Sequence, residues 1–520
     1  MTHSPALTEL VENLVPFDTY PVSTTLIWST SEVGNEEVLR CACSYLSDST
    51  GFGTAKVFLA ERYGGSGIQR NGGGARCGFD GCYQVKGIGA NPLVGLGTDW
   101  HHSNGALAAD HAIYEAIWGE VLAQLLPYGA VRAQAVLLTD KYIDINFERN
   151  NRRARRALLV REPVIRPAHF ERAPYFRPQP EYVGKMIHDA QRVRSVIRLL
   201  SDYLPTPTDG FSEGAYQDPQ RHCVEGLCEL ARRQARQMAF CRTRFLMLTT
   251  SPSNVAMDGR LLDFTGLNCL FPCDHRYDFD YRLKLAQMMR EPAILQQGLS
   301  DLCLYIGKYL FGSAFTSFAQ QQVGACFQHA FQEACYRGYL ALLGIPVDIL
   351  PSKEIPNALK QLVNSFMKLF GSRRGMLYYH QYDVRTETPL EQLVVMLIRC
   401  SQGQSVSGYI NLDSDICFVE TLSAFVEANL WLSETCHTLG IDASVILKGM
   451  ERQARQRLQP RERLGKIRML EEIAGLLEAN SGDDLRHALS VMEARTLAFA
   501  KEAFGCEPVT NHVPEGYVEA

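Results

Sequence analysis

Asn254 and Asp263 lie nine residues apart in SPSNVAMDGRLLDFTG, at positions 251–266. Asparagine and aspartate supply hard oxygen ligands, the kind that Mg²⁺ takes while it also bridges phosphate oxygens. Two stretches that read as short strands, 255–257 and 260–262, flank Asp258-Gly259. Asp-Gly is a strong two-residue hairpin signal, so the spacing predicts a hairpin carrying Asn254 before it and Asp263 after it. Phe264 and Gly266 follow the aspartate, with Thr265 between them. An ordinary hairpin with an incidental Asn and Asp has the same local pattern, so the rest of the chain has to decide.

A second group of residues suits phosphate. The segment 63–89 reads YGGSGIQRNGGGARCGFDGCYQVKGIG. Glycines let a backbone approach a phosphate closely and tolerate positive φ, which makes Gly72, Gly73 and Gly74 candidate loop residues. No Walker motif is present, because no Gly-Lys-Ser/Thr follows. Residues 81–87 read as a strand carrying Lys86. The next helix is predicted over 103–126, with Ile113, Ile117, Val121 and Leu125 as its apolar stripe. Glu115 and Glu120 lie off that stripe, and either could pair with Lys86. Arg161 and Arg166 lie around the strand-like LLVREPVIR, and a guanidinium fork grips two phosphate oxygens at once.

These residues must be positioned by a sizeable fold. The chain has 520 residues, 46% hydrophobic and 21% charged, values of a soluble globular protein with room for several domains. A net charge of −5 gives no general attraction to nucleic acid or anionic membrane. The N-terminus lacks a basic start followed by an apolar core, and no apolar run approaches the roughly 18 residues of a membrane helix. A cytoplasmic protein without membrane insertion is expected. Sixteen cysteines include no CxxC pair, so free thiols in a reducing compartment are expected rather than a zinc site.

Along the chain, a strand is predicted over 23–31, a short helix over 36–46 and a strand over 131–138. The basic run RNNRRARR at 149–156 reads as a solvated loop. Helices are predicted over 182–203 and 223–240. From about 278 onward the chain reads as helices, among them 283–289, 320–343, 390–398, 417–439 and 469–480. The basic stretch 452–468 reads as an exposed helix face broken at Pro460, and the tail after Cys506 as frayed.

In order, these pieces resemble the SelO family, kinase-fold proteins described as pseudokinases that transfer AMP to protein side chains. QVKGIGANP at 84–92 resembles the family's QLKGxGxTP strand, placing Lys86 on its phosphate-binding lysine. IYEAIWGE at 113–120 resembles the following helix and places Glu120 on the lysine's ion-pair partner. GGGAR at 72–76 resembles a GDGRA element, making Arg76 a phosphate contact. LVREPVIRPAHFE at 159–171 resembles RxAxSxxRxGxFE and gives Arg161 the same role. MAFCRTRFLMLTTSPSNVAM at 238–257 resembles the family's catalytic loop, and LLDFTG places Asp263 on its metal-binding aspartate.

The resemblance covers about residues 60–275. It implies an α+β fold with a kinase-like two-lobed core: an N-terminal mixed segment (1–54), an N-lobe (55–145), a C-lobe (146–275) and a helical C-terminal region (276–520). It also implies ATP and Mg²⁺ as cofactors.

The chain departs from the family at the catalytic loop. Ser253 stands where the family has an Asp before the metal Asn, and Thr249 occupies the usual kinase base position. An alcohol acceptor benefits from a general base, whereas a carboxylate is already ionised at pH 7. The expected activity is therefore AMP or phosphoryl transfer to a protein or peptide, with a peptide C-terminal carboxylate as one acceptor. The whole chain also resembles the large maturation proteins of siderophore-carrying microcins, which implies a companion acyltransferase-like partner. Two alternatives stay open: a nucleotide-binding pseudokinase serving as a scaffold or regulatory subunit, and AMP transfer to a hydroxyl with a replacement base.

Overall fold

The computed structural model describes residues 7–505 apart from 31–32, 50–52, 148–149, 187, 271–278, 352–353, 380–387 and 405–415. The expected fraying after Cys506 lies outside these residues. The fold is α+β. Eight strands, β1 (Leu14–Pro21), β2 (Thr24–Ser29), β3 (Tyr45–Leu46), β4 (Lys56–Glu61), β5 (Cys77–Phe79), β6 (Gln84–Lys86), β7 (Ala133–Phe147) and β8 (Asn150–Arg161), form one sheet in the order β2-β7-β8-β6-β5-β4-β1-β3. Every pairing in it is antiparallel. Strands from the first 54 residues therefore share the sheet that carries Lys86.

The first six helices are α1 (Glu36–Cys43), α2 (Trp100–Ser103), α3 (Ala109–Leu125), α4 (Val183–Met186), α5 (Asp189–Val196) and α6 (Leu200–Tyr203). α7 (Pro219–Thr243) follows. Asp218 caps it by accepting from the N–H groups of Gln220 and Arg221, which satisfies donors that have no partner inside the helix. The predicted helix over 182–203 is broken into α4, α5 and α6 with a 3₁₀ turn at Ile197–Leu199. The basic run predicted as a loop is instead most of β8, paired with β7 from Ala133↔Arg161 to Phe147↔Asn150 with two register shifts. Its charges ride on a two-stranded ribbon, where the apolar run Ala157–Val160 anchors one end in the core.

The remainder is helical: α8 (Phe279–Ile306), α9 (Ser313–Leu342), α10 (Asn357–Tyr379), α11 (Pro389–Ser401), α12 (Ile416–Thr438), α13 (Ala443–Leu458), α14 (Lys466–Ala479) and α15 (Gly482–Phe504). Each helix predicted beyond 278 lies on one of these. Among the described residues, α12 alone is long and apolar enough to cross a membrane, and its Phe418, Phe425, Ala428 and Leu432 are buried in the helical core. The stretch 452–468 breaks near Pro460 as expected, but it is not wholly an exposed face. Arg457 and Arg461 are buried, and Arg461 donates to the Arg244 carbonyl (2.8 Å).

α3 lies at the centre. Ala112, Ile113, Ala116, Ile117, Trp118, Val121 and Leu122 are all buried, so the helix is apolar nearly all round rather than on one stripe. It packs on β7 and β8 and against α14 and α15. The helical C-terminal region therefore grips the helix that follows the Lys86 strand. Trp28 Nε1 on β2 adds a bond to Glu493 Oε2 on α15 (2.5 Å).

Candidate active site

Lys86 ends β6 and points off the sheet into a cleft, with its side chain 1% exposed. Its Nζ donates to Glu115 Oε2 on α3 (2.6 Å) and to Asp263 Oδ1 (2.8 Å). Arg161, opposite Gln84 on β8, lies 3.6 Å from Glu115 Oε1, and Arg76 lies 3.9 Å from Asp263 Oδ2. Behind them, Arg161 Nε donates to Gln84 Oε1, and Gln84 Nε2 donates to Glu61 Oε1. Residues from three strands, one helix, the glycine-rich loop and the 251–266 loop thus form one connected polar network.

The resemblance placed Glu120 on the Lys86 ion pair, and the structure corrects this. Glu120 takes a bidentate bond from Arg132, at 2.7 Å from both Nε and Nη2. Five residues along an α-helix turn the side chain by about 140°, so the two glutamates leave α3 in different directions. With α3 packed on β7 and β8 and against α14 and α15, Glu115 is the one that faces Lys86.

Asp263 sits at φ 68°, in the left-handed region, where non-glycine residues are uncommon and often functional. Burial pushes its carboxyl up, but the charges of Lys86, Arg76 and Arg161 outweigh this and hold it well below the carboxylate range. Its Oδ1 accepts from both Lys86 and Thr265 Oγ1 (2.9 Å), leaving Oδ2 toward Arg76.

The predicted hairpin is reduced to a single bridge, Val255↔Leu261, with Gly259 at φ 91° in the turn. It still brings the two ends together, because the Leu262 N–H donates to the Asn254 carbonyl (3.2 Å). The loop is backed by Glu291 on α8, which accepts from the N–H groups of Leu248 (3.2 Å) and Thr250 (3.3 Å). Burial raises the Glu291 carboxyl to about 7 despite those bonds. Gly266 is required by space, since a Cβ there would overlap the Thr249 side chain. Thr249 is itself at φ 55°. Gly266→Ala is expected to cost about 1–3 kcal/mol through overpacking, read as a lower denaturant midpoint at unchanged m.

The cleft has a volume of 480 Å³. Lys86, Arg76, Arg161, Asn254 and Asp263 line it, together with Gly73 and Gly74. Gly72 does not line it. A side chain there would strike the Phe176 ring, so this glycine serves packing. Gly73 lies so close to the Glu61 carbonyl that a Cβ would not fit, and the Gly74 N–H donates to that carbonyl (2.9 Å). Gly67 closes over the 251–266 loop, and a Cβ there would lie 2.6 Å from Ser251 Oγ.

Arg166 also lines the cleft. It stacks over Tyr63 (5.0 Å), donates to the Ser253 carbonyl (3.1 Å), and leaves a buried Nε without a partner among the described residues. Burial raises the Tyr63 hydroxyl to about 12. Lys86, Arg70, Arg76, Arg161 and Arg166 thus line the cleft against Asp99 and Asp263, with Glu115 behind Lys86, an excess of positive charge that suits a polyphosphate.

Among the described residues no group of three His, Cys, Asp or Glu gathers as a ready-made metal site. Mg²⁺ commonly uses one or two protein oxygens and completes its shell with water and phosphate. The donor set of Asn254 and the ionised Asp263, on one cleft with the cations, fits that habit.

Sequence reasoning missed Lys466. At the start of α14 its Nζ donates to the Thr265 carbonyl (2.7 Å) and sits over the Tyr114 ring (6.0 Å). Tyr114 OH in turn donates to the Leu267 carbonyl (2.8 Å). Lys466 therefore ties the loop bearing Asp263 to the helix bearing Glu115. Lys466→Met is expected to lower turnover about 10-fold and raise the half-saturating Mg²⁺ concentration, with Lys466→Arg restoring much of both, as for loss of one charge-assisted bond. Equal effects of Met and Arg would leave only a packing role.

No protein-family model matches the chain, and no curated protein matches it.

Proposed function

We propose that this chain is an ATP- and Mg²⁺-dependent nucleotidyl or phosphoryl transferase with a two-lobed, SelO-like kinase architecture, acting on a protein or peptide. One observation carries the reading: Lys86 bonds Glu115 and Asp263 at once, on a cleft that also gathers Arg76, Arg161 and Arg166. Burying like charges is costly, and a polyphosphate offsets that cost. In this reading Lys86 and the arginines hold and orient phosphates, and Glu115 fixes Lys86. Asn254 and Asp263 would hold Mg²⁺, which supplies charge neutralisation when bound. Catalysis is by positioning and electrostatics.

The acceptor is read as a carboxylate. Thr249 and Ser253 supply no base in the catalytic loop, and a carboxylate needs none. A peptide C-terminus is the acceptor we favour, activated for joining to a second molecule with a companion acyltransferase-like protein, as in siderophore-microcin maturation. The test compares peptides ending in a free carboxylate with the same peptides amidated at the C-terminus. AMP or ADP formation that depends on the free carboxylate supports the reading, and equal turnover with both rejects it. The absence of a loop base equally favours a nucleotide-binding pseudokinase acting as a scaffold. That reading requires ATP binding with no turnover under any of these conditions.

A further inference from the structure

A groove follows the seam where α7 packs on α9, apart from the Lys86 cleft. On α7, Arg221, Glu225, Cys228, Arg232 and Arg236 recur every three or four residues, and on α9 Gln322, Cys326, His329, Glu333 and Arg337 do the same. Each set forms one helix face. Together the faces line a cavity of 1030 Å³ toward the helix starts and one of 720 Å³ further along. Arg232, Arg236, Gln322 and Cys326 line both cavities, so the two join. Arg232 spans the seam, donating to Glu229 on its own helix (3.3 Å) and to Cys326 Sγ on α9 (3.8 Å). None of these residues lines the Lys86 cleft.

The groove differs along its length. The 720 Å³ part is cationic: Arg232, Arg236, Arg244, Arg337 and His329 line it against Glu333, which already meets Lys360 at 3.3 Å. Arg236 is exposed, and its Nη1 donates to a neutral acceptor, the Tyr128 hydroxyl (2.5 Å). The Arg337 guanidinium is pulled below its ordinary pKa, by burial first, with Glu333 opposing and the Arg236 charge adding to the fall. Arg236 and Arg337 therefore repel each other across the seam, and an anion between them removes that cost. The 1030 Å³ part is balanced, since Arg221 meets Glu225 (3.1 Å) and Arg232 meets Glu229. It offers the ring of Phe318, which is 53% exposed.

Length decides what kind of anion fits. The α7 lining runs from Gln220 to Phe240, about 30 Å at the rise of an α-helix. An extended chain covers that in roughly nine residues, whereas one small anion fills only the cationic part.

We propose that the α7–α9 groove docks an acidic segment of a partner polypeptide, its carboxylates against Arg236, Arg244 and Arg337 and an apolar side chain on Phe318. This stands whether or not the Lys86 cleft turns over ATP.

The probe is a fluorescein-labelled peptide of eight glutamates with a phenylalanine at each end, titrated with the full chain and read by fluorescence anisotropy. The same peptide with glutamines in place of the glutamates is expected to bind about 10-fold more weakly, and Arg236→Glu to weaken the glutamate peptide about as much. Phe318→Ser should weaken both peptides. Arg468→Glu makes the same charge change on α14, where the side chain is 59% exposed, and should leave binding near wild type. Mg²⁺-ATP should leave the peptide bound. No binding, equal binding of the two peptides, equal loss in Arg236→Glu and Arg468→Glu, or displacement by Mg²⁺-ATP overturns the assignment. A dimer seen by sedimentation of the chain alone, and dissolved by Arg236→Glu, would make a second copy the occupant and overturn it as well.

Discussion

Asp263→Asn is expected to abolish metal-dependent turnover, by on the order of 10³-fold, the scale at which preorganised electrostatic groups act. The same change should leave ATP binding without Mg²⁺ as tight as in the wild type or tighter. The reason is local charge. The Asp263 carboxyl is ionised at neutral pH because Lys86, Arg76 and Arg161 outweigh its burial. Removing that charge leaves the cations of the cleft facing one carboxylate fewer, so a polyphosphate is more welcome while the metal loses its charged ligand. Equilibrium binding of ATP in EDTA, set beside turnover in Mg²⁺, reads the two effects separately. Loss of both together would indicate a collapsed cleft, and turnover near wild type would remove Asp263 from the metal site.

Glu115→Gln and Glu120→Gln form the second test, because sequence and structure disagree about them. Glu115 is 4% exposed and holds Lys86 at 2.6 Å. Removing its charge leaves Lys86 free to pair more tightly with Asp263, which draws both away from their ligands. Turnover is expected to fall on the order of 10²-fold. Glu120 meets Arg132, whose side chain is 32% exposed, so Glu120→Gln is expected to cost about 1 kcal/mol of stability with turnover near wild type. Turnover assays and denaturant melts of both variants decide the matter. The reverse pattern would restore Glu120 to the site.

Much of the site was legible because its residues sit in short local patterns. Lys86 stands on a strand after glycines, and Asn254 and Asp263 bracket an Asp-Gly turn. Arg161 closes an apolar strand. Each of these needs only local periodicity or turn chemistry to be noticed. The glutamate was not legible, because a helix pattern shows which residues share a face but not which way that face turns. That is set by everything α3 packs on, including β7 and β8 and, more than 300 residues away in sequence, α14 and α15. Lys466 shows the same limit. It lies in a basic stretch that reads as solvated, and its bond to the Thr265 carbonyl spans 201 residues.

The 149–156 run misled for a different reason. Strand β8 is recognised by its partner β7, and a charged ribbon has no apolar alternation of its own to announce it.

The central claim is that this cleft turns over Mg²⁺-ATP, and it is tested most directly with ATP labelled separately at the α- and γ-phosphates. The purified chain is incubated with Mg²⁺ and a carboxylate-ending peptide, with and without the proposed acyltransferase-like companion, beside Asp263→Asn. The account predicts α-label appearing in AMP or on the peptide, with pyrophosphate released by the wild type and not by the variant. ADP release with γ-label on the peptide would keep the site and change the transfer to phosphoryl. Bound ATP with no turnover in any mixture would contradict the claim and leave a nucleotide-binding scaffold.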